Sequence, residues 1–422
     1  MLNKLKKLKD LTGRVRKSKD GKVLVENFAY LTLLQVAGYI FPLITLPYLA
    51  RVIGVDSFGK IAFAGAIIGW FYTVADWGFN YTATRDVAKN REDKEKVSQI
   101  FSNVLWARCI LTLFSFILLI ILILLVPKFQ EISILLLITF LMIPGYILFP
   151  DWFFQAMEKM KYITILNLIS KLLFTIAVFV FIKEKSDYIL QPLFVSLGFV
   201  VSGIIAMYYI LVRWKVKLYK PNIKEIRLTI KNSTDIFINN LMPNLYNSFS
   251  TFLLGIFGGA VSTGILNSGT KFVDVSQQFM NIISRTFFPF LSRKIESHNL
   301  FAKMNIYISL LISALLFIFA PILIKLFFTP EFYDSIKVLQ LMSISIFFLS
   351  LSSIYGTNYM IIQGYEKQLR NITFVSSIIG FTLSFPLIYF FDYIGAALTV
   401  TLTRGILGLS ITYFARKIKI EK

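Results

Sequence analysis

Residues 261–288 read VSTGILNSGTKFVDVSQQFMNIISRTFF, and we interpret this stretch as one membrane-spanning helix. Six polar side chains follow one another at steps of four, three, four, three and four residues, so they share one face. They are Asn267, Lys271, Asp274, Gln278, Asn281 and Arg285. The stripe is roughly 27 Å long, and lipid cannot face it, because each uncompensated charge at mid-membrane costs at least about 3 kcal/mol. It therefore predicts a surface that faces protein or water inside the membrane, which makes transport the leading hypothesis.

The rest of the chain also has the composition of a membrane protein. Of its 422 residues, 56% are hydrophobic and 16% are charged, and the mean hydropathy is +0.69. A soluble domain is usually about 25% charged. Apolar runs long enough to cross a bilayer recur along the chain and predict an all-α membrane protein with twelve transmembrane helices. The predicted spans are 27–50, 58–81, 99–126, 132–154, 161–182, 188–212, 233–257, 261–288, 302–328, 334–362, 369–391 and 393–415.

The net charge of +21 is distributed unevenly. Lys and Arg crowd alternate loops, which by the positive-inside rule are the cytoplasmic ones. This pattern places both termini in the cytoplasm, with a basic N-terminal segment at 1–26 and a basic tail at 416–422, and it argues against nucleic acid as the partner. We expect no cleavable signal peptide. Two interpretations stay open for residues 1–22, an in-plane helix on anionic lipid or a disordered basic tail.

Three short motifs recur in the second half of the chain at nearly one offset. Residues 54–59 match 259–264 and residues 187–189 match 392–394 at an offset of 205, and residues 155–159 match 363–367 at 208. Three matches in order predict an internal repeat. Six spans in each half preserve the orientation, so we expect two six-helix lobes, 27–212 and 233–415, related by a pseudo-two-fold axis along the membrane normal. The cytoplasmic linker 213–232, with a short amphipathic helix, joins them.

The repeat gives the polar stripe a counterpart in the second span. Subtracting the offset of 205 from the positions of Gln278, Asn281 and Arg285 gives Thr73, Asp76 and Asn80. Neither face suits lipid, so the two helices predict a cleft between the lobes. Asp76 lies deep enough to need a partner or water and is a candidate for ion coupling.

Lys271 and Asp274 lie one helical turn apart and allow two interpretations. They pair with each other, or the cation meets an anionic substrate while the carboxylate carries a coupling ion. Arg285 either meets a phosphate or extends to the membrane interface. Arg404 lies near the middle of the last span and is expected to face the bundle interior as a further substrate-binding candidate. Arg108 and Lys171 also fall within spans.

The seventh and first spans carry other candidates. Asn240, Asn244 and Asn247 share a face, and amides suit sugar hydroxyls because they both donate and accept hydrogen bonds. They also join helices to one another as structural contacts. Pro42 and Pro47 remove backbone hydrogen bonds, so we expect a kinked first span that is a candidate gate.

Signals of enzymatic activity are absent. The chain has no phosphate-binding loop of the G-x-x-x-x-G-K-[ST] type, one histidine and one cysteine, Cys109, and no cluster with metal-ligand spacing. The predicted outer loops are short. We therefore expect no catalytic residue, no metal and no cofactor.

Several sequence motifs, in order, are similar to those of the polysaccharide flippase family. That family belongs to a superfamily which also holds multidrug exporters and the lipid II flippase. The motifs are Pro47-Tyr-Leu-Ala-Arg-Val-Ile-Gly54, Phe58-Gly59, Asp76-Trp-Gly78, Gln155-x-x-Glu158-Lys159-x-Lys161, Gly264-Ile-Leu-Asn267 and Phe328-Thr-Pro-Glu-Phe-Tyr333. The resemblance implies two six-helix lobes around a cavity that opens alternately inward and outward. It implies a substrate of undecaprenyl-pyrophosphate-linked oligosaccharide, flipped between the leaflets of the bacterial inner membrane.

The candidate residues suit such a substrate. Cations would meet the pyrophosphate, amides the glycan, and a slit open to lipid the prenyl tail. A proton or Na⁺ is the candidate coupling ion, and membrane lipids and other polysaccharide-assembly proteins are candidate partners. Two alternatives remain, a multidrug or small-molecule cation antiporter of the same fold and a membrane enzyme of glycan assembly.

Overall fold

The computed structural model describes residues 19–420, and this part of the chain is helical nearly throughout and contains no β-strand. The first half comprises α1 (Lys19–Asp76), α2 (Phe79–Lys89), α3 (Lys94–Leu125), α4 (Pro127–Glu131), α5 (Ser133–Phe140), α6 (Met142–Leu148), α7 (Asp151–Ala156), α8 (Met160–Phe181) and α9 (Leu190–Tyr208). The second half comprises α10 (Ile223–Leu241), α11 (Ser248–Phe257), α12 (Gly259–Arg293), α13 (His298–Phe327), α14 (Ser335–Leu351) and α15 (Glu366–Ile420). The interpretation of residues 1–22 falls largely outside the described residues.

Within residues 19–420, eight helical stretches are long and apolar enough to cross a membrane. Two of them contain a backbone break, at Gly54 in α1 and at Asp392 in α15, and each covers two of the predicted spans. Helices α10 and α12 are not among the eight, because α10 contains five charged residues and α12 carries the polar stripe. The chain is thus a multi-pass membrane protein, while the number of twelve crossings and the two-lobe arrangement stay predictions.

Two predicted segments differ from the structure in their boundaries. The span expected at 132–154 consists of three short helices, α5 to α7. Pro144 lacks the N–H that would bond to the carbonyl of Phe140, and Pro150 comes directly before α7, so the helix is interrupted near both prolines. The amphipathic helix expected in the linker is not a separate element. It begins at Ile223, after the cap formed by Asn222, and continues unbroken into the predicted seventh span.

The backbone reproduces the internal repeat at its turns. Gly54 and Gly259, which are 205 residues apart, both have a left-handed φ, 71° and 78°. Glu158 and Gly364, which are 206 residues apart, also have a left-handed φ, of 57° and 81°. A left-handed φ is uncommon outside glycine, so its recurrence at matching positions supports the repeat independently of the sequence motifs.

The two halves approach each other closely at repeat-related glycines. A Cβ atom added to Gly59 would lie 1.7 Å from the carbonyl oxygen of Ala260, and one added to Gly264 would lie 2.4 Å from that of Val55. The contact is reciprocal at the offset of 205, as a two-fold axis between α1 and α12 would require. Only glycine permits this approach at the end of the molecule that the charge pattern predicts to be outside.

A second contact joins the halves at the opposite end. The ring of Trp77 stacks on that of Phe237 with centroids 3.9 Å apart and planes 3° apart. The hydroxyls of Thr82 and Ser233 are hydrogen-bonded at 2.8 Å and are both buried. Helix α10 is therefore packed against α2, although the two belong to different halves of the repeat.

Candidate functional site

A cavity of about 500 Å³, called here the main cavity, lies between segments of both halves. Its walls are formed by α1, α8 and α9 from the first half and by α12 from the second. Most of its lining is apolar. Its polar lining residues are Thr45, Asn167, Ser170, Lys171, Gln191, Asn267, Lys271, Asp274 and Gln278.

Three charged side chains face the main cavity. Lys171 comes from α8, where its ammonium lies against Gly38 of α1, and Lys271 and Asp274 come from α12. Neither lysine forms an ion pair or hydrogen bond within the described chain, and Asp274 is exposed to the cavity and has no ion-pair partner among those residues. The internal pair considered for Lys271 and Asp274 is therefore not formed. Two cations and one anion leave the main cavity with a net positive charge.

The polar stripe does not line one cavity along its whole length. Asn267, Lys271, Asp274 and Gln278 face the main cavity, whereas Asn281 and Arg285 face a second space of about 410 Å³. This C-half chamber is enclosed by α12, α14 with its π-helical continuation Ser352–Ile361, and α15. The six polar side chains share one face of α12, but the helices that lie opposite this face change along its length. The periodicity that groups these side chains on one face therefore does not reveal that they face two different spaces.

Asp76 has the partner that its depth requires. Its carboxylate accepts a hydrogen bond from Arg108 Nη2 at 2.5 Å, and the same nitrogen donates to Asn80 Oδ1 at 2.8 Å. The pair is nearly excluded from solvent, with side-chain exposures of 11% for Asp76 and 6% for Arg108. These residues surround a space of only about 10 Å³, the N-half void, which Asp151 also lines.

Arg404 and the amides of the seventh span hold helices together. Arg404 is buried and donates to Ser345 Oγ at 3.0 Å and to Asn247 Oδ1 at 3.2 Å. Asn244 donates to Thr73 Oγ1 at 3.0 Å, while Asn240 is exposed. The 3₁₀ stretch Met242–Leu245 interrupts the helix between these amides, so they do not form one continuous face. None of them lines the main cavity or the C-half chamber.

The prolines of the first span have different surroundings. Pro42 lines the main cavity, but Pro47 does not. Both lie within the helical part of α1, where the backbone departs from helical angles at Gly54. A gating role for Pro42 and Pro47 stays a prediction.

Sequence reasoning missed several lining residues. Lys171 falls within a predicted span but is not among the sequence-based site candidates, although Asn167, Ser170 and Lys171 recur at helical spacing on one face of α8. That spacing was the available signal. Gln191 stands near the start of α9 with no comparable pattern, and only the fold brings it to the cavity. Within the described residues, no group of His, Cys, Asp and Glu could hold a metal ion.

Comparison with known proteins places this architecture in a family. A family model described as "Polysaccharide biosynthesis protein" matches residues 24–295. The chain belongs to this family. Among curated members of similar sequence, a putative O-antigen transporter of Escherichia coli (strain K12) is 29% identical over 405 residues, which cover 94% of this chain and 98% of the relative. A putative O-antigen transporter of Shigella dysenteriae is 27% identical over 91% of this chain and 98% of its own length.

Solved structures share the fold of this polysaccharide biosynthesis protein. The lipid II flippase MurJ in its inward closed conformation aligns with a TM-score of 0.73, at 17% identity, over 92% of this chain and 87% of MurJ. A multidrug resistance MATE family transporter of the MOP superfamily, inward-facing, aligns with a TM-score of 0.63, at 14% identity, over 88% of this chain and 94% of that protein. The predicted family and the all-α membrane fold are confirmed. The curated relatives are named as transporters, in agreement with the prediction that the chain is not an enzyme.

Proposed function

We propose that this protein flips undecaprenyl-pyrophosphate-linked oligosaccharide repeat units from the cytoplasmic to the outer leaflet of the bacterial inner membrane by alternating access. The observation that carries the proposal is the main cavity, which lies between the two halves of the chain and contains two unpaired lysines. Membership of the polysaccharide biosynthesis family and the names of the curated relatives support it. The charge pattern of the loops supports an orientation with both termini in the cytoplasm.

The lining of the main cavity suits each part of this substrate. Lys171 and Lys271 offer ammonium groups from different walls to a pyrophosphate, and charge-assisted hydrogen bonds are the stronger ones. Amide groups from both halves can donate to and accept from glycan hydroxyls. These amides are Asn167, Gln191, Asn267 and Gln278. The remaining apolar lining is compatible with the nearby prenyl chain.

Asp274 is the better candidate for ion coupling. Asp76 is already neutralised by Arg108 in a void too small for more than about one water molecule. Asp274 is unpaired and exposed to the cavity, so a proton or Na⁺ can reach it, and binding there would change the charge that the substrate meets. We therefore assign the coupling role to Asp274.

The charge of the main cavity argues against the principal alternative. A cation antiporter needs a binding site that attracts positive charge, whereas this cavity carries two lysines and one carboxylate. Contacts with other polysaccharide-assembly proteins remain a further expectation of the proposed pathway step.

Flipping is tested directly with purified protein in vesicles loaded with a fluorescent undecaprenyl-pyrophosphate oligosaccharide. We expect the label to become accessible to a membrane-impermeant quencher faster than in empty vesicles. A deletion strain should accumulate lipid-linked glycan on the cytoplasmic side. If the vesicles flip a cationic drug but no lipid-linked glycan, the antiporter interpretation replaces this one.

A further inference from the structure

The C-half chamber has a repeat-related counterpart in the N-half void. The residues of α12 that line the chamber stand at the same spacing as those of α1 and α2 that line the void. Gln277, Asn281 and Arg285 correspond to Tyr72, Asp76 and Asn80 at the offset of 205. Ser352, Ser353 and Thr357 correspond to Tyr146, Ile147 and Asp151 at an offset of 206. Two walls of the N-half void therefore recur in the chamber with different side chains, while the third wall comes from α3 in the void and from α15 in the chamber.

The two sets of side chains produce very different spaces. The N-half void measures about 10 Å³ because two tyrosine rings and the Asp76–Arg108 pair fill it. In the chamber, glutamine and serine replace the tyrosines, and the space measures about 410 Å³. Arg108 has no counterpart either, since α13 has no Lys or Arg between Lys303 and Lys325. The chamber is thus open beside residues whose counterparts in the first half are packed around an ion pair.

The replacements also reverse the charge. Two carboxylates, Asp76 and Asp151, line the N-half void against one guanidinium, that of Arg108. The chamber has an amide and a hydroxyl at those carboxylate positions, and Arg285 is the one charged residue of the described chain in its lining. Arg285 is exposed, and it forms no ion pair or hydrogen bond with residues 19–420. A guanidinium that faces a protein cavity rather than lipid can bind a phosphate in bidentate fashion.

The wall opposite Arg285 is unusual in its backbone. Ser352, Ser353 and Thr357 belong to a ten-residue π-helical stretch, and π-helical turns occur frequently at functional sites. These hydroxyls and the amides of Gln277 and Asn281 line the same space as the guanidinium, and they both donate and accept hydrogen bonds. One cation among many neutral polar groups fits a phosphate attached to a sugar better than a bare metal ion or an apolar ligand.

We propose that the C-half chamber is a second substrate site, which binds the phosphate-linked sugar of the lipid-linked glycan before it reaches the main cavity. This inference rests on the proposed function. Lys271 and Arg285 are fourteen residues apart on one continuous helix, which separates them by roughly 21 Å. One pyrophosphate cannot bridge that distance, so the two sites act in succession. The chamber lies toward the end of α12 that the charge pattern predicts to be cytoplasmic, where the substrate is made.

Protection of an engineered cysteine tests the site in the full-length protein. Cys109 is the single cysteine of the chain and is replaced by serine, and Thr357→Cys places a reporter at an exposed position of the chamber. The rate of labelling by a charged thiol reagent is measured in phosphatidylcholine nanodiscs with increasing glucose 1-phosphate. We expect the sugar phosphate to slow labelling, and Arg285→Gln to raise the concentration needed by about tenfold or more.

Matched variants distinguish binding in the C-half chamber from effects that arise elsewhere in the protein. Arg293→Gln removes the same residue type from the same helix outside the chamber and should leave protection unchanged. Ser352→Tyr restores the side chain of the N-half counterpart and should abolish protection while the thermal stability of the protein is retained. The double variant Lys171→Gln/Lys271→Gln should keep protection, because those lysines belong to the main cavity.

The outcomes are decisive in either direction. The proposed sugar-phosphate site is refuted if glucose 1-phosphate does not slow labelling of the reporter cysteine. It is also refuted if glucose 1-phosphate protects the reporter equally well in the Arg285→Gln variant. Protection that requires phosphatidylglycerol instead of sugar phosphate would assign the chamber to a lipid headgroup and overturn the assignment to glycan. If wild-type vesicles fail to flip lipid-linked glycan while the reporter is still protected, the proposed function fails and the sugar-phosphate site remains.

Discussion

Three charged side chains without partners distinguish the main cavity from the sites of the buried arginines Arg108 and Arg404. Arg108 and Arg404 are buried and donate hydrogen bonds to residues of neighbouring segments, so contacts within the fold compensate their charges. Lys171, Lys271 and Asp274 face open space instead. A charge held at membrane depth without a protein partner is costly unless water or a ligand compensates it, so these three positions are the ones at which we propose substrate or ion contact.

Replacing either cavity lysine by glutamine should slow flipping of lipid-linked glycan. A hydrogen bond to a charged group contributes about 1.5–3 kcal/mol, so we expect a loss of about tenfold or more for Lys171→Gln and for Lys271→Gln. The quenching assay in vesicles measures the rate. Lys325→Gln on α13, outside the cavity, is the control and should behave as wild type. Normal flipping by Lys271→Gln at normal protein level would remove Lys271 from the substrate site.

Asp274→Asn should uncouple flipping from the ion gradient. The amide keeps the size and polarity of the side chain but can neither carry a proton nor offer a charged ligand to Na⁺. We expect wild-type vesicles to accelerate under an imposed proton or Na⁺ gradient and the variant to show one rate under all conditions. An unchanged gradient response in the variant would rule out Asp274 as the coupling residue.

Arg108→Gln should destabilise the protein more than a comparable surface change. It leaves Asp76 buried without its cation, and breaking a buried pair in this way costs about 3–5 kcal/mol. Thermal unfolding in detergent should show a clear decrease, partly recovered in the double variant Asp76→Asn/Arg108→Gln. Arg91→Gln, which breaks the exposed pair with Glu158, should cost at most about 1 kcal/mol. Equal losses in the two single variants would contradict a structural role for the buried pair.

Among the helices, α12 has contacts that change along its length. Its first two turns pack against α1 through Gly264, the stretch 267–278 faces the main cavity, and the stretch 277–285 faces the C-half chamber. The helix is continuous from Gly259 to Arg293, so a displacement at one level is transmitted to the others. This makes α12 the element through which the contact between the halves and both polar spaces are connected.

Gly264→Ala should disturb the contact between the halves. The added Cβ would lie 2.4 Å from the carbonyl oxygen of Val55, and overpacking of this kind typically costs about 1–3 kcal/mol. We expect lower thermal stability and greater accessibility of a cysteine introduced beside the contact. Gly65→Ala on α1 is the matched control, because nothing lies within 4 Å of its added Cβ. A stability loss for Gly65→Ala as large as that for Gly264→Ala would contradict the close approach as its cause.

At the scale of the whole molecule, the repeat provides two copies of one arrangement that have diverged in use. The turns at Gly54 and Gly259 are retained, and so is the reciprocal contact of Gly59 with Gly264. The polar spaces have diverged, since one is packed around an ion pair and the other is open around Arg285. The proposed substrate sites therefore rest on the asymmetry of the cavities rather than on the symmetry of the helices.

The orientation of the whole chain is testable with fusions at its C-terminus. The loop charges predict a cytoplasmic end, so a fused green fluorescent protein should fluoresce and a fused alkaline phosphatase should be inactive. The opposite pair of results would invert the topology and would place the C-half chamber on the outer side. In that case the order of the two substrate sites would have to be reversed.

The sequence by itself determined the membrane class, the all-helical fold, the repeat and the importance of α12. Each rests on local periodicity, namely apolar runs of span length, polar side chains at helical steps, and motifs at one offset. The need for a partner at Asp76 was also predictable from its depth alone.

Only the tertiary structure decided which helix faces which neighbour. It paired Asp76 with Arg108, left Lys271 and Asp274 apart, brought Lys171 into the same cavity, and divided the stripe at Gln278 between two spaces. These outcomes depend on contacts between residues far apart in the chain, and helical periodicity gives the face of a helix but not what packs against it. The π-helical wall of the C-half chamber likewise has no simple signature in the sequence.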